Sequence, residues 1–313
     1  MEPLRRPTRR GAMSRPIPAF ALLALVLVAT ACSKAGGGVP SSSPEASSPA
    51  SQAPTSTPGA FGTIDHATGG GDVLLRYEEG GGFVMPAWTA ASAAVFTLYG
   101  DGTIIFRNPA QDPLPTVGSV APFHPYRVAR MDEGQIQALL EYALGTGGLG
   151  TARLDYPNNR VADASTATFT VNAGGVAKKV SVYALGIDSG QVADGPARQA
   201  FAKLRDRLAD IDQGGTIKTD VYQPTRYRAI LLEGQPGASD QRAWPWPAIK
   251  PGEFVSPGDP NSFPLPARLL TTADADKLGI HPFEGGFVGV PLAGPDKQSY
   301  SLSLRPLLPD EAM

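Results

Sequence analysis

The side chains able to do chemistry are few and far apart. The 313-residue chain holds one cysteine and three histidines. The lone thiol, Cys32, forms neither an intrachain disulfide nor a cysteine metal cluster. Its thiolate is a nucleophile that can accept a covalent group. His66, His124 and His281 are widely separated, and the last two precede prolines. They read as loop histidines in turns; a triad assembled in space is the other reading. Neither Gly-x-Ser-x-Gly nor Ser-x-x-Lys occurs, and neither His-Glu-x-x-His nor Gly-x-x-x-x-Gly-Lys-Ser/Thr is present. These gaps point away from common hydrolase, zinc and phosphate chemistry.

Acidic residues offer weaker leads. Glu78 and Glu79 precede Gly80-Gly81-Gly82. Paired carboxylates do acid–base work when their environments split their pKa values. Neighbours on a strand face opposite sides, so these two do not share a site. Gly100-Asp101-Gly102 supplies one oxygen ligand where a calcium loop needs several, so Asp101 reads as a turn residue. Asp155, Asp163, Asn158 and Asn159 form an oxygen-rich stretch that suits either a cation or turns. No metal and no cofactor is expected.

Trp244-Pro245-Trp246-Pro247 is the most suggestive binding signal. Alternate residues in an extended segment put Trp244 and Trp246 on one side. They form either a stacking shelf, for a sugar or a Pro-rich peptide, or a cover for the core.

The N-terminus reads as an address. Arg5, Arg6, Arg9, Arg10 and Arg15 precede an 11-residue apolar run, Ala19 to Ala29. A membrane span needs about 20 such residues, so the run suits an export signal over 1–31. Met13 gives a signal of ordinary length if translation starts there. Val28-Ala29-Thr30-Ala31-Cys32 resembles the lipobox of bacterial lipoproteins, with Ala29 where Leu is usual. That resemblance implies diacylglyceryl transfer to Cys32, cleavage before it and acylation (palmitate-type) of the new amino terminus. The expected location is extracytoplasmic, held to the membrane by lipid. Residues 32–60 read as a tether. Within 35–60 there are seven Ser, five Pro, five Ala and four Gly against one charge, Glu45. Such a stretch buries too little apolar surface to offset its ordering entropy, and spans about 30 Å r.m.s. as a flexible coil.

The remaining chain is acidic. Residues 1–60 carry six of the 27 Lys and Arg and two of the 29 Asp and Glu, leaving 21 against 27, a net −6. That balance disfavours nucleic acid and anionic headgroups as partners, so attachment is expected through the lipid alone. Gly and Pro make 67 of 313 residues, which favours turns over long helices.

The patterning predicts an α+β fold. Strands are expected over 72–77, 95–99 and 103–107, the last two a hairpin about Gly100-Asp101-Gly102. An amphipathic helix is expected from Asp132 to Leu144, capped by Asp132 and ended by Gly145. Strands at 167–171 and 178–183 make a second hairpin, and a helix follows from Pro196 to Ile211. Both helices are expected on one face of a sheet, giving a 61–215 α+β domain of antiparallel hairpins with two amphipathic helices. A Pro/Gly-rich, mainly β region over 216–313 follows. Its strands lie at 226–233, 286–291 and 300–305, with a short helix over 272–278. Arg305 to Glu311 reads as a structured tail whose arginine pairs with a carboxylate.

The stretch from Phe96 to Ile211 resembles a domain of unknown function found in secreted and lipid-anchored bacterial proteins. The shared features are Leu98-Tyr99-Gly100-Asp101-Gly102-Thr103, the helix around Gln135 to Leu140, Asp163-Ala164-Ser165-Thr166, and the second hairpin and helix. Members often carry a cysteine pair before the first hairpin, which this chain lacks. The tail, with its Trp-Pro repeat, is similar to other lipoproteins from high-GC genomes. The resemblance implies a fold and an address, without an activity. The expected function is a lipid-anchored envelope protein that binds or scaffolds an envelope protein or saccharide without catalysis. The alternative is an extracytoplasmic hydrolase with an unconventional site.

Overall fold

The computed structural model describes residues 63–108, 114, 120–187, 192–234, 240–256 and 265–311. The signal (1–31), the tether (32–60) and Cys32 lie outside the described residues. Among the described residues the fold is α+β, built on two sheets.

The first sheet starts with β1 (Val73–Gly80) and the hairpin β2 (Phe96–Tyr99) and β3 (Thr103–Phe106). Phe96 pairs with Phe106 and Leu98 with Ile104. Asp101 closes this turn by accepting from the Thr103 amide and hydroxyl, each at 3.0 Å. Gly102 has φ +87°, and a Cβ there would lie 2.3 Å from the Met131 carbonyl, so only glycine fits. Next come β4 (Ala121–Pro122) and β5 (Arg127–Arg130), then α2 (Glu133–Leu144). The short α1 (Pro86–Ala91) precedes β2. Asp132 caps α2 in a reciprocal capping box with Gln135.

The two-residue β6 (Asp155–Tyr156) leads to β7 (Thr166–Ala173) and β8 (Val176–Tyr183). This hairpin is tighter than its sequence suggests. Gly174 and Gly175, at φ +59° and +73°, form the whole turn, so Asn172 and Ala173 extend the strand. Helix α3 (Gly195–Ala209) follows. Ile136, Leu139 and Leu140 of α2 and Phe201, Leu204 and Leu208 of α3 share one core cluster with Leu75, Tyr77 and Phe169. Both helices therefore cover one face of the sheet. Arg198 sits fully buried in α3, donates to the carbonyls of Tyr183, Tyr156 and Pro157, and has Asp194 as its counter-ion at 3.3 Å.

The second sheet comprises β4 together with β10 (Arg226–Glu233), β11 (Arg242–Ala243), β12 (Ala267–Thr271), β13 (Phe287–Ala293) and β14 (Ser299–Pro306), with α4 (Thr272–Asp276) after β12. The boundary expected near residue 215 divides the two sheets but not two separate bodies. β4, between β3 and β5 in the chain, joins the second sheet by pairing with β13, and β9 (Asp220–Val221) pairs back onto β5 of the first. Residues 59–313 form one compact unit.

The join is also held by side chains. Arg107 donates to the Gly285 carbonyl at 2.8 Å and lies over the rings of Phe123 and Tyr126. After β14 the chain turns back as a tail. Asp310 accepts from Arg76 of β1 and Tyr99 of β2, both at 2.6 Å, while Glu311 accepts from Arg305 of β14 at 2.7 Å. Two consecutive carboxylates thus tie one sheet to the other.

Candidate functional site

A cleft of about 710 Å³ opens between the sheets, within the range of small-molecule sites. Its origin lies in strand periodicity. Along β10, Tyr227, Ala229 and Leu231 enter the core cluster beneath the second sheet, so Arg228 and Ile230 point to the other face. The β10–β14 register sets Arg228 directly across from Arg305. Like charges opposite each other on neighbouring strands repel. Burial first, and Arg305 second, push the Arg228 guanidinium below its ordinary pKa.

The two arginines are treated differently. Arg305 is 5 % exposed and held by Glu311, with its Nε buried and unpartnered. Arg228 makes no hydrogen bond or ion pair with a described residue. The opposite wall comes from β1 and α1. Glu78 lies 3.7 Å from Lys179 of β8, and the Ser92 hydroxyl donates to the Trp88 carbonyl at 2.8 Å. Val84, Pro86, Ile230 and Ala267 give the cleft apolar surface.

The mouth is shaped by the glycines after β1. Gly81 and Gly82 adopt φ +79° and +81°, end the strand and swing Phe83, Val84 and Met85 outward. Those three are 90, 51 and 64 % exposed. Pro86 then opens α1.

Trp244 and Trp246 lie away from this cleft, and the shelf reading is corrected by their burial. Trp246 is 1 % exposed and donates to the Asp274 carbonyl at 2.9 Å. Trp244 donates to the Ile249 carbonyl and meets Trp246 edge to face at 5.2 Å. The indoles do share a side, but the Pro-rich segment folds over the sheet and seats them in its core with Phe254.

The other candidates are spread through the fold. Glu79 accepts from the hydroxyls of Tyr77 and Ser165, on the face opposite Glu78. Asn158 is buried and accepts from the Arg160 amide, as a turn residue does, and Asp163 adopts φ +54°. Asp155 begins β6. His281 faces Asp276 at 3.4 Å, and His124 follows β4. Among the described residues no three His, Cys, Asp or Glu cluster as metal ligands.

His66 has a structural part. Its Nδ1 is 2.7 Å from the Ala67 carbonyl and its Nε2 is 3.1 Å from Glu133, so only the imidazolium donates to both. The Ala67 carbonyl, then Glu133, outweigh burial and raise its pKa above 6.5. A raised pKa in the folded state means the stabilisation is complete below pH 6.5 and fades as pH rises through the folded value. Protection of the Ile64 and Gly174 amides, which anchor this arm, is expected to fall across that window. His66→Gln should flatten the dependence, as measured by hydrogen-exchange protection factors.

Sequence reasoning missed Arg228. Its signal was a charge inside a strand and flanked by apolar residues, Tyr227-Arg228-Ala229-Ile230. Comparisons with family models, with curated proteins and with solved structures gave no match to this chain.

Proposed function

We propose that the chain is a lipid-anchored protein of the bacterial cell envelope whose folded part binds a ligand in the inter-sheet cleft and performs no catalysis. The address rests on the sequence around Cys32 and the Ser/Pro/Ala/Gly stretch after it. The binding reading is carried by one observation: Arg228 is a charged cleft residue without a partner among the described residues. The groups that would do chemistry there are already engaged. Glu311 accepts from Arg305 and the Leu308 amide, Glu78 faces Lys179, and Ser92 donates to a carbonyl. Such a lining favours holding a ligand over transforming it.

Two measurements test this. Cys32→Ser is expected to abolish incorporation of a labelled palmitate analogue and to move the protein from the membrane to the soluble fraction. Unchanged membrane retention would remove the anchor from the reading. Turnover of an ester, peptide or cell-wall saccharide that vanishes in Ser92→Ala or Glu78→Gln would replace the binding role with an enzymatic one.

A further inference from the structure

We infer that the cleft takes an oxyanion, a carboxylate or phosphate, carried on an apolar body; this rests on the binding reading above and names its ligand class. Three cations, Lys179, Arg228 and Arg305, face two carboxylates, Glu78 and Glu311, across the lining. The recess is therefore net positive within a body of net −6, and low-dielectric walls concentrate such a field. Both carboxylates already have cationic partners, which leaves Arg228 without an ion pair among the described residues.

The geometry adds to the charge count. Arg228 lies across from Arg305, a juxtaposition that costs stability when nothing sits between them. Placing an anion beside Arg228 turns that repulsion into attraction for both guanidiniums. A guanidinium presents a planar fork matched to carboxylate and phosphate oxygens. The apolar requirement comes from the rest of the wall. Ile230, Ala267 and Pro86 share the lining with the arginines, and Val84 adds apolar surface that is half exposed. A bare inorganic anion would leave that surface wet, whereas an alkyl chain covers it. Free amphiphiles and lipid headgroups both offer this chemistry.

The test uses the full lipidated protein in phosphatidylcholine nanodiscs, titrated calorimetrically with hexyl phosphate, inorganic phosphate and hexanol. Hexyl phosphate is expected to bind about tenfold or more tightly than either fragment, and Arg228→Gln to weaken it by about tenfold or more. The same variant, without ligand, should melt no lower than the parent, because it removes an unpaired charge. Repeating the titration with phosphatidylglycerol in the disc separates the sources. Weaker apparent affinity marks headgroup competition, and unchanged affinity marks a free amphiphile; both keep the oxyanion. The inference is overturned if hexyl phosphate does not bind, if inorganic phosphate binds equally well, or if Arg228→Gln binds like the parent. Failure here alongside intact Cys32-dependent anchoring and no turnover removes the ligand class and leaves the binding role standing.

Discussion

Asp310→Ala should lower the unfolding free energy by about 3 kcal/mol and the melting temperature by about 6–12 °C. The carboxylate holds Arg76 and Tyr99 at 2.6 Å each, and its side chain is 18 % exposed against 14 % for Arg76. Truncating it leaves a largely buried guanidinium without its counter-ion and a phenol without its acceptor. Burial pulls on both partners. For Asp310, burial alone would raise the pKa, but the bonds from Arg76 and Tyr99 outweigh it and hold the group below the ordinary carboxylate range. For Arg76, burial is likewise outweighed by Asp310, and the pKa rises. Because the folded pKa of Asp310 is depressed, its stabilisation is present above the ordinary carboxylate pKa and disappears as pH falls through the folded value. Denaturant melts at neutral and acid pH check this: the difference between parent and Asp310→Ala should shrink on acidification. The double replacement Arg76→Met with Asp310→Leu should recover part of the loss, since two apolar groups leave no stranded charge. A single variant as stable as the parent would show that the tail does not secure the two sheets.

Trp246→Ala is expected to cost about 3–5 kcal/mol, the largest single loss in the second sheet. The indole is 1 % exposed and packs with Trp244, Phe254 and the sheet residues Tyr227 and Leu302. Its Nε1–H also anchors the Asp274 carbonyl in α4, so removing it frees a helix that covers the sheet. Trp246→Phe keeps much of the volume and should cost less than half as much. Urea midpoints for the two variants give the comparison. If the alanine variant lost less than about 1 kcal/mol, the site would have to collapse around the void far more than close-packed cores do.

The sequence was most readable where local chemistry decides the outcome. Asp132 and Gly145 bracket α2, and the Gly-Asp-Gly turn sits between β2 and β3, because caps and positive-φ turns need particular residues at fixed positions. The strand read over 226–233 coincides with β10, since its alternation reflects one face in the core and one in the cleft. Readability ended where distant segments meet. Helix α1 is six residues long and has no periodic face, so only Pro86 marked it. β4 and β9 are two residues each, and their pairing partners lie in the opposite half of the chain. The cleft draws on Glu78, Ser92, Lys179, Arg228 and Arg305, which no spacing in one dimension connects. The tryptophan pair was undecided for a different reason. Two indoles on one side describe a platform and a core cover equally well, and only the path of residues 244–254 over the sheet chooses between them.

The carboxylates at 310 and 311 also impose an order of events. Asp310 reaches partners 234 and 211 residues earlier in the chain. Local hairpins and helices can form as soon as their own residues emerge, whereas contacts this distant come late in synthesis. A polypeptide emerging amino-terminus first can assemble both halves and pair β4 with β13 and β5 with β9, yet it lacks its last fastening until position 310 arrives. A chain broken off at the end of β14 would keep every strand described here and the pairings between the sheets, but would leave this one clasp open.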